Sequence, residues 1–280
     1  MEKVIQTVNA FGKLNKRDAL CVSLSGGVDS MVLLRALREY QLKTKFYKTI
    51  KQFHLKAVHV NYNNRSDCDK EVDFVVNYCD SIGVPIEVRH ITEMKRVRDR
   101  SRHEYEEFTR KARFEMYRKQ ECAILIGHNF DDTVENIISN VASKKKYDNL
   151  FGMSKQHEED GVTVLRPLLD VPKKDIYEYA TAMNVPHLPD STPEWSRRGK
   201  LRDHVIPALE RCEPQFIRGL VHLAEHLRKE NERMLLYGPR SERSAVSDMH
   251  GSGHHPRSED VLRRENEAGM SALREKVLLE

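Results

Sequence analysis

Cysteine is sparse in this chain and never paired along it. Cys21, Cys68, Cys79, Cys122 and Cys212 form no C-x-x-C and no metal-type spacing, which argues against a zinc or iron–sulfur centre built on them. An odd number of thiols with no secretory leader suits a reducing compartment. Met1-Glu2-Lys3-Val4 lacks the charged-then-apolar layout of such a leader. Long apolar runs are missing too, since none approaches the roughly 20 residues needed to cross a bilayer. The expectation is a cytoplasmic protein that enters no membrane, with an organelle left open. Two common nucleotide signatures are absent. There is no lysine placed to make a Walker A loop and no G-x-G-x-x-G, so a dinucleotide fold is disfavoured. Nor is one sign of charge in great excess: 47 Lys and Arg face 43 Asp and Glu, a formal net charge of +4. Composition by itself therefore does not prove a nucleic-acid partner.

What the chain does contain is alternation. Its 280 residues suffice for one substantial α/β domain with an appendage, or for two small domains. Apolar runs at 20–24, 55–60, 86–88 and 123–126 read as strands. Between and after them, helical spacing runs over 30–40, 69–82, 103–119 and 131–141. This order predicts a parallel sheet with helices on both faces. Further along, 162–169 reads as a strand leading into a loop, and 173–183, 201–211 and 215–236 read as helices. The expected organisation is a catalytic domain over 1–160 and a helical C-terminal extension over 161–237. A disordered linker over 238–260, polar and nearly devoid of apolar residues, and a terminal helix over 261–280 would follow.

In such sheets ligands sit beyond the carboxyl ends of the strands, and two motifs fall there. After the first strand comes Ser25-Gly26-Gly27-Val28-Asp29-Ser30. Adjacent glycines allow positive φ and close backbone approach. Successive N–H groups then form an anion nest, reinforced by the N-terminus of the following helix. Ser25 and Ser30 are expected to donate to phosphate oxygens. Asp29 would repel phosphate, so it is read either as a Mg²⁺ holder or as a helix cap. The plainer alternative for the whole string is a Gly-Gly turn with an Asp cap. After the fourth strand comes Gly127-His128-Asn129-Phe130-Asp131-Asp132. There the alternative is an N-capping acid pair beside a structural histidine.

The first string resembles the S-G-G-x-D-S loop of the PP-loop ATP pyrophosphatases, which cleave ATP between its α and β phosphates. Further segments are similar, in order, to those of the tRNA(Ile)-lysidine synthetases within that class. They are His59-Val60-Asn61-Tyr62 with Arg65, Arg110-Lys111-Ala112-Arg113-Phe114, Gly127 to Glu135, Arg166-Pro167-Leu168-Leu169, and Asp190-Ser191-Thr192 with Arg198 and Leu201-Arg202. The match covers roughly residues 20 to 210. Tyr62 and Asn129 stand where that family has a second histidine, and 193–200 differs from its closing motif. The resemblance implies an ATP-binding set of Ser25, Gly26, Gly27, Val28, Asp29, Ser30, His59 and Asn61. It implies catalytic roles for His128, Asp131, Asp132 and Arg113, with Arg113 neutralising the α-phosphate. It also implies ATP and Mg²⁺ as cofactors, tRNA as partner and free lysine as co-substrate.

Arg198, Lys200 and Arg202 would cover the nucleotide or hold RNA phosphate. Residues 89–119 hold eleven Lys and Arg against six acids, and 143–147 adds a basic loop. Such runs track phosphates or simply solvate a helix face. Trp195, beside the arginines, suits base stacking or loop anchoring. Competing readings are a PP-loop tRNA thiolase, disfavoured by the missing C-x-x-C, and a small-molecule amidating synthetase. A third is an RNA-binding protein with a decayed nucleotide site. A homodimer is left open.

Overall fold

The computed structural model describes residues 1–15, 17–45, 52–64, 67–93, 102–143, 150–190 and 192–237. Arg65, Ser191, the lysines of the 143–147 loop, part of the basic run and everything expected beyond 237 lie outside the described residues.

One six-stranded sheet organises the chain, in the order β3-β2-β1-β4-β6-β5. Its strands are β1 (Ala19–Ser23), β2 (His54–Asn61), β3 (Ile86–His90), β4 (Ala123–Leu125), β5 (Gln156–Glu159) and β6 (Val162–Leu165). All neighbours pair in parallel except β5 and β6. The expected sheet is thus found, with one antiparallel edge strand added. Asp160 and Gly161 both take positive φ, at 49° and 75°, as a tight hairpin turn between twisted strands demands. The boundary expected at 160/161 falls in this turn, and the hairpin's two strands belong to the same sheet.

Period-two burial splits the core. Leu20 and Val22 of β1 face one cluster, while Cys21 faces another. The larger cluster is closed by α1 (Glu2–Leu14), α2 (Val28–Thr44), α3 (Cys68–Ser81) and α6 (Lys173–Ala182), through Val8, Leu33, Leu37, Val75 and Ile176. The smaller is closed by α4 (Arg102–Lys119), through Phe114, Met116 and Tyr117. Helix α1 goes beyond the sequence reading. Its inner face consists of Val4, Val8 and Gly12, and a Cβ on Gly12 would lie 2.3 Å from the Tyr40 ring. Helix α5 (Phe130–Ala142) follows β4.

Later come α7 (Arg197–Lys200), a π-helical turn over Leu201–Val205, α8 (Ile206–Cys212) and α9 (Phe216–Tyr237). Met1–Glu225 forms one compact unit and the chain from His226 a second, described here only as the end of α9. Among the described residues no helix is long and apolar enough to cross a membrane.

The first crossover runs from β1 to β2 on one side, whereas β4 pairs with β1 on the other. The chain order therefore reverses between β1 and β4, which makes the carboxyl ends of these two strands the natural position for a ligand.

Candidate active site

The turn after β1 is held by its own hydroxyls. Ser30 Oγ donates to Gly27 O at 3.1 Å and accepts from Ser25 N at 3.1 Å. With that proton committed, Ser25 Oγ must be the donor in its 3.1 Å bond to Ser30 Oγ, and it accepts from Gly27 N at 3.3 Å. Both hydroxyls expected to reach phosphate are thus spent on shaping the loop. Gly26 has φ 83°, and a Cβ there would meet Leu188 Cδ1 at 2.7 Å. The N-cap of α2 is Gly27, with no side-chain cap. Asp29 is therefore not the cap. The first-turn amides of Val28, Asp29 and Ser30 have no intrahelical acceptor and carry the positive end of α2.

Gly127 brings the second motif against this loop. A Cβ on it would stand 2.9 Å from Ser30 N and 3.0 Å from Asp29 C. Asn129 then caps α5 in a reciprocal box with Asp132, through bonds of 3.0 and 3.1 Å. Its Nδ2 donates to Asp29 at 3.1 Å. Asn129 thus ties the two motifs together. Asp29 also accepts from Lys173 Nζ at 2.6 Å. Burial pushes the Asp29 carboxyl up, against the pull of the Lys173 ammonium. The repulsion anticipated between Asp29 and a phosphate is answered by this cation, at the start of α6 and 144 residues away in sequence.

A cleft of about 910 Å³ opens above these turns. Its wall includes Ser25, Gly27, Val28, Asp29, Ser30, His59, Arg113, His128, Asp132, Arg198 and Arg202. Four of the expected site residues do not line it. Asn61 is buried, with its side chain bonded to Asp69 (3.0 Å), His90 (3.3 Å) and Asn63 N (2.8 Å). Asp131 accepts Lys173 N–H at 2.8 Å, so it joins the start of α5 to the start of α6. Gly26 and Lys200 also lie outside the lining.

The two histidines of the wall carry opposite tautomers. His59 Nδ1 lies 2.8 Å from Leu24 O. A carbonyl only accepts, so Nδ1 holds the proton and Nε2 keeps a lone pair, and burial pushes this ring's pKa down. His128 Nδ1 accepts from Arg166 Nε at 2.9 Å. A guanidinium only donates, so here the proton sits on Nε2. Burial, then Arg166, Arg198 and Arg113, push His128 down to about 4 against the opposing pull of Asp132. Arg113 reaches Tyr62 Oη at 3.5 Å.

Arg198 and Arg202 converge on one acid that sequence reading quoted without assigning a role. Glu135 is 2% exposed. It accepts from Arg198 Nε at 2.7 Å and from Arg202 Nε at 2.9 Å, with Arg202 Nη2 at ion-pair distance, 2.8 Å. Arg198 also pairs with Asp132, and Arg202 with Asp190. The segment around α7 is thereby latched across the mouth of the cleft. Trp195 on it is 74% exposed. Among the described residues no group of three or more His, Cys, Asp or Glu is gathered to hold a metal ion.

As a class, this is an α/β protein with its ligand cleft at the reversal point of a mostly parallel sheet, built on a glycine-bearing anion loop after the first strand. The chain belongs to the PP-loop domain family, which it matches over residues 1–209. It is similar to the tRNA(Ile)-lysidine synthase of Chlamydia felis, with 30% identity over 208 residues covering 71% of this chain and 61% of that protein. The enzyme of the same name from Clostridioides difficile is 27% identical over 240 residues, covering 82% and 50%. The chain thus spans between half and three-fifths of these relatives' length. Among solved structures, the U34-tRNA thiolase NcsA of Methanococcus maripaludis, described with its [4Fe-4S] cluster, shares the fold at a TM-score of 0.66. The identity there is 20%, covering 81% of this chain and 78% of that one.

Proposed function

We propose that this chain is an ATP-dependent tRNA-modifying ligase that adenylates the carbonyl oxygen of a wobble cytidine and lets lysine displace AMP. The observation that carries this reading is the single cleft shared by the phosphate loop and the His128–Asp132 turn. In the first step the carbonyl oxygen attacks the α-phosphorus, a new O–P bond forms, and the bond to the β-phosphate breaks to release pyrophosphate. In the second, the amine of lysine bonds to the ring carbon, the C–O bond to AMP breaks, and the amine loses a proton.

The residues suit these tasks. Unpaired amides at the start of α2 bind the departing pyrophosphate. Lys173 adds a cation at the loop's edge. Arg113 offers planar donors to the α-phosphate. Asp132, at the same mouth, pairs with the amine or takes its proton, and to do so it exchanges Arg198 for the incoming cation. Mg²⁺ needs only one or two protein carboxylates alongside substrate phosphates. Asp29 meets that need, with Asp132 close enough to raise its pKa. When bound, the ion neutralises phosphate charge. Exposed Trp195 beside Arg197 and Arg198 suits contact with an RNA base and backbone.

The test is pyrophosphate release from ATP, followed by mass spectrometry of the tRNA nucleosides. Release should require tRNA and rise with free lysine, and one cytidine should gain a lysine. Release indifferent to tRNA removes the RNA-modifying reading. A sulfur-containing nucleoside would assign the chain to thiolation instead.

A further inference from the structure

Arg166 belongs to no catalytic proposal above, yet it is 8% exposed and sits between two histidines. Its Nε donates to His128 Nδ1 at 2.9 Å, and its Nη1 to His157 Nδ1 at 2.9 Å and to Ser154 O at 3.0 Å. His157 stands on edge strand β5. With its Nδ1 lone pair taken by a guanidinium, its proton must be on Nε2, which lies 3.0 Å from Glu159 Oε2. Glu159 accepts in turn from Arg110 Nη2 at 2.6 Å. Every donor and acceptor in this run is determined, because guanidinium groups cannot accept and carboxylates cannot donate. The polarity therefore extends from α4, through the hairpin, to the cleft.

We propose that Arg166 and His157 are positioning residues that fix His128 as a neutral Nε2–H donor at the cleft. Among the described residues no partner takes that Nε2–H. Charged groups around the ring come from three other elements: Asp132 on α5, Arg113 on α4, and Arg198 on α7, besides Arg166 itself. Three of the four are cations, so a second proton on the imidazole is opposed. His128 then cannot serve as the base that accepts the amine's proton. It donates a hydrogen bond to a phosphate oxygen whose charge grows as the α–β bond breaks. This use of the donor rests on the adenylation reading, whereas the tautomer does not.

The tautomer is read directly from ¹⁵N spectra of the full chain labelled at histidine, with His128→Gln assigning the signals. His128 should show a bare Nδ1 and a protonated Nε2 from pH 8 down to about 5. Arg166→Met should abolish that single-tautomer signature. Should Arg166→Met fail to fold, His157→Phe on the partly exposed edge strand is expected to weaken it. His157→Phe should also lower kcat for pyrophosphate release by about tenfold, the scale of one hydrogen bond, with KM for ATP unchanged. A proton on Nδ1 in the wild type overturns the proposal, as does a His128 signal indifferent to the folded variants. A shifted tautomer with undiminished kcat overturns the donor role. A chain with the predicted tautomer and no tRNA reaction would instead count against the adenylation reading alone.

Discussion

Replacing Gly127 by alanine tests whether the two motifs of the cleft are one device. The added Cβ would lie 2.9 Å from Ser30 N, 3.0 Å from Asp29 C and 3.1 Å from Ser30 Cα. All three are backbone atoms, so no rotamer change relieves the overlap. Comfortable contacts between such atoms begin near 3.5 Å, and the end of β4 and the phosphate loop must part by roughly 0.5 Å. Overpacking of this kind costs about 1–3 kcal/mol. The displaced atoms include the Ser30 amide, one of the three first-turn amides proposed to bind phosphate, so the loss should appear in stability and in binding. Thermal unfolding should fall by a few degrees, and ATP affinity should drop by about tenfold or more. Calorimetric titration with ATP and a melting curve on the same sample read both. Gly219→Ala is the control, because a Cβ there meets nothing within 4 Å and alanine favours a helix by about 1 kcal/mol. A Gly127→Ala protein with wild-type melting and wild-type ATP affinity would refute the close approach and the unity of the site.

Glu135→Gln should release the segment carrying Arg198 and Arg202, since a neutral amide replaces the carboxylate that accepts two charge-assisted bonds from them. Amide hydrogen exchange there should quicken, and unchanged exchange would show that the latch is held by something else. Lys173→Met should weaken ATP binding by about tenfold, by removing the cation beside Asp29. Equal affinity in a titration at neutral pH would assign Lys173 to folding alone. His128, pushed down to about 4 in the fold, binds its proton in the unfolded chain near 6.5. Its contribution to stability is therefore complete above about 6.5 and is lost as pH falls toward 4, on the order of 2–3 kcal/mol. Melting curves across that range should be steeper for the wild type than for His128→Gln, and parallel curves would contradict the neutral buried ring.

Local chemistry announced most of this molecule. The strands carry apolar runs, their helices have apolar spacing, and Gly26 and Gly127 are glycines because a Cβ there would run into Leu188 and into the backbone of the phosphate loop. What sequence could not supply was pairing. Asp131 and Asp132 are adjacent and look alike, yet Asp132 turns into the cleft while Asp131 secures α6. The difference depends on where α6 returns, more than forty residues later. Asn129 looked like a departure from a family pattern, and it proves to be the link between the two turns. Glu135 and Arg166 stood within quoted strings, but their partners come from α7, the π-turn and β5. Strand β5, Gln156-His157-Glu158-Glu159, has no apolar residue to betray it. It forms because an edge strand needs hydrogen bonds from only one neighbour.

The charges of the cleft carry the argument one step further. Among the described residues seven Lys and Arg side chains line it against six Asp and Glu, so these side chains together supply little net field with which to draw in a polyanion from a distance. On the proposed reading, affinity for ATP would be generated on contact, by the first-turn amides of α2 and by cations changing partners. On the proposed mechanism Lys173 would leave Asp29 for phosphate, and Asp29 would then be free to hold Mg²⁺. Arg198 would likewise give up Asp132 to an incoming amine while Glu135 continued to hold it. Each substrate would then replace an internal partner of its own sign. On the proposed mechanism the amine's site at Asp132 would become available only when Arg198 moves away from it.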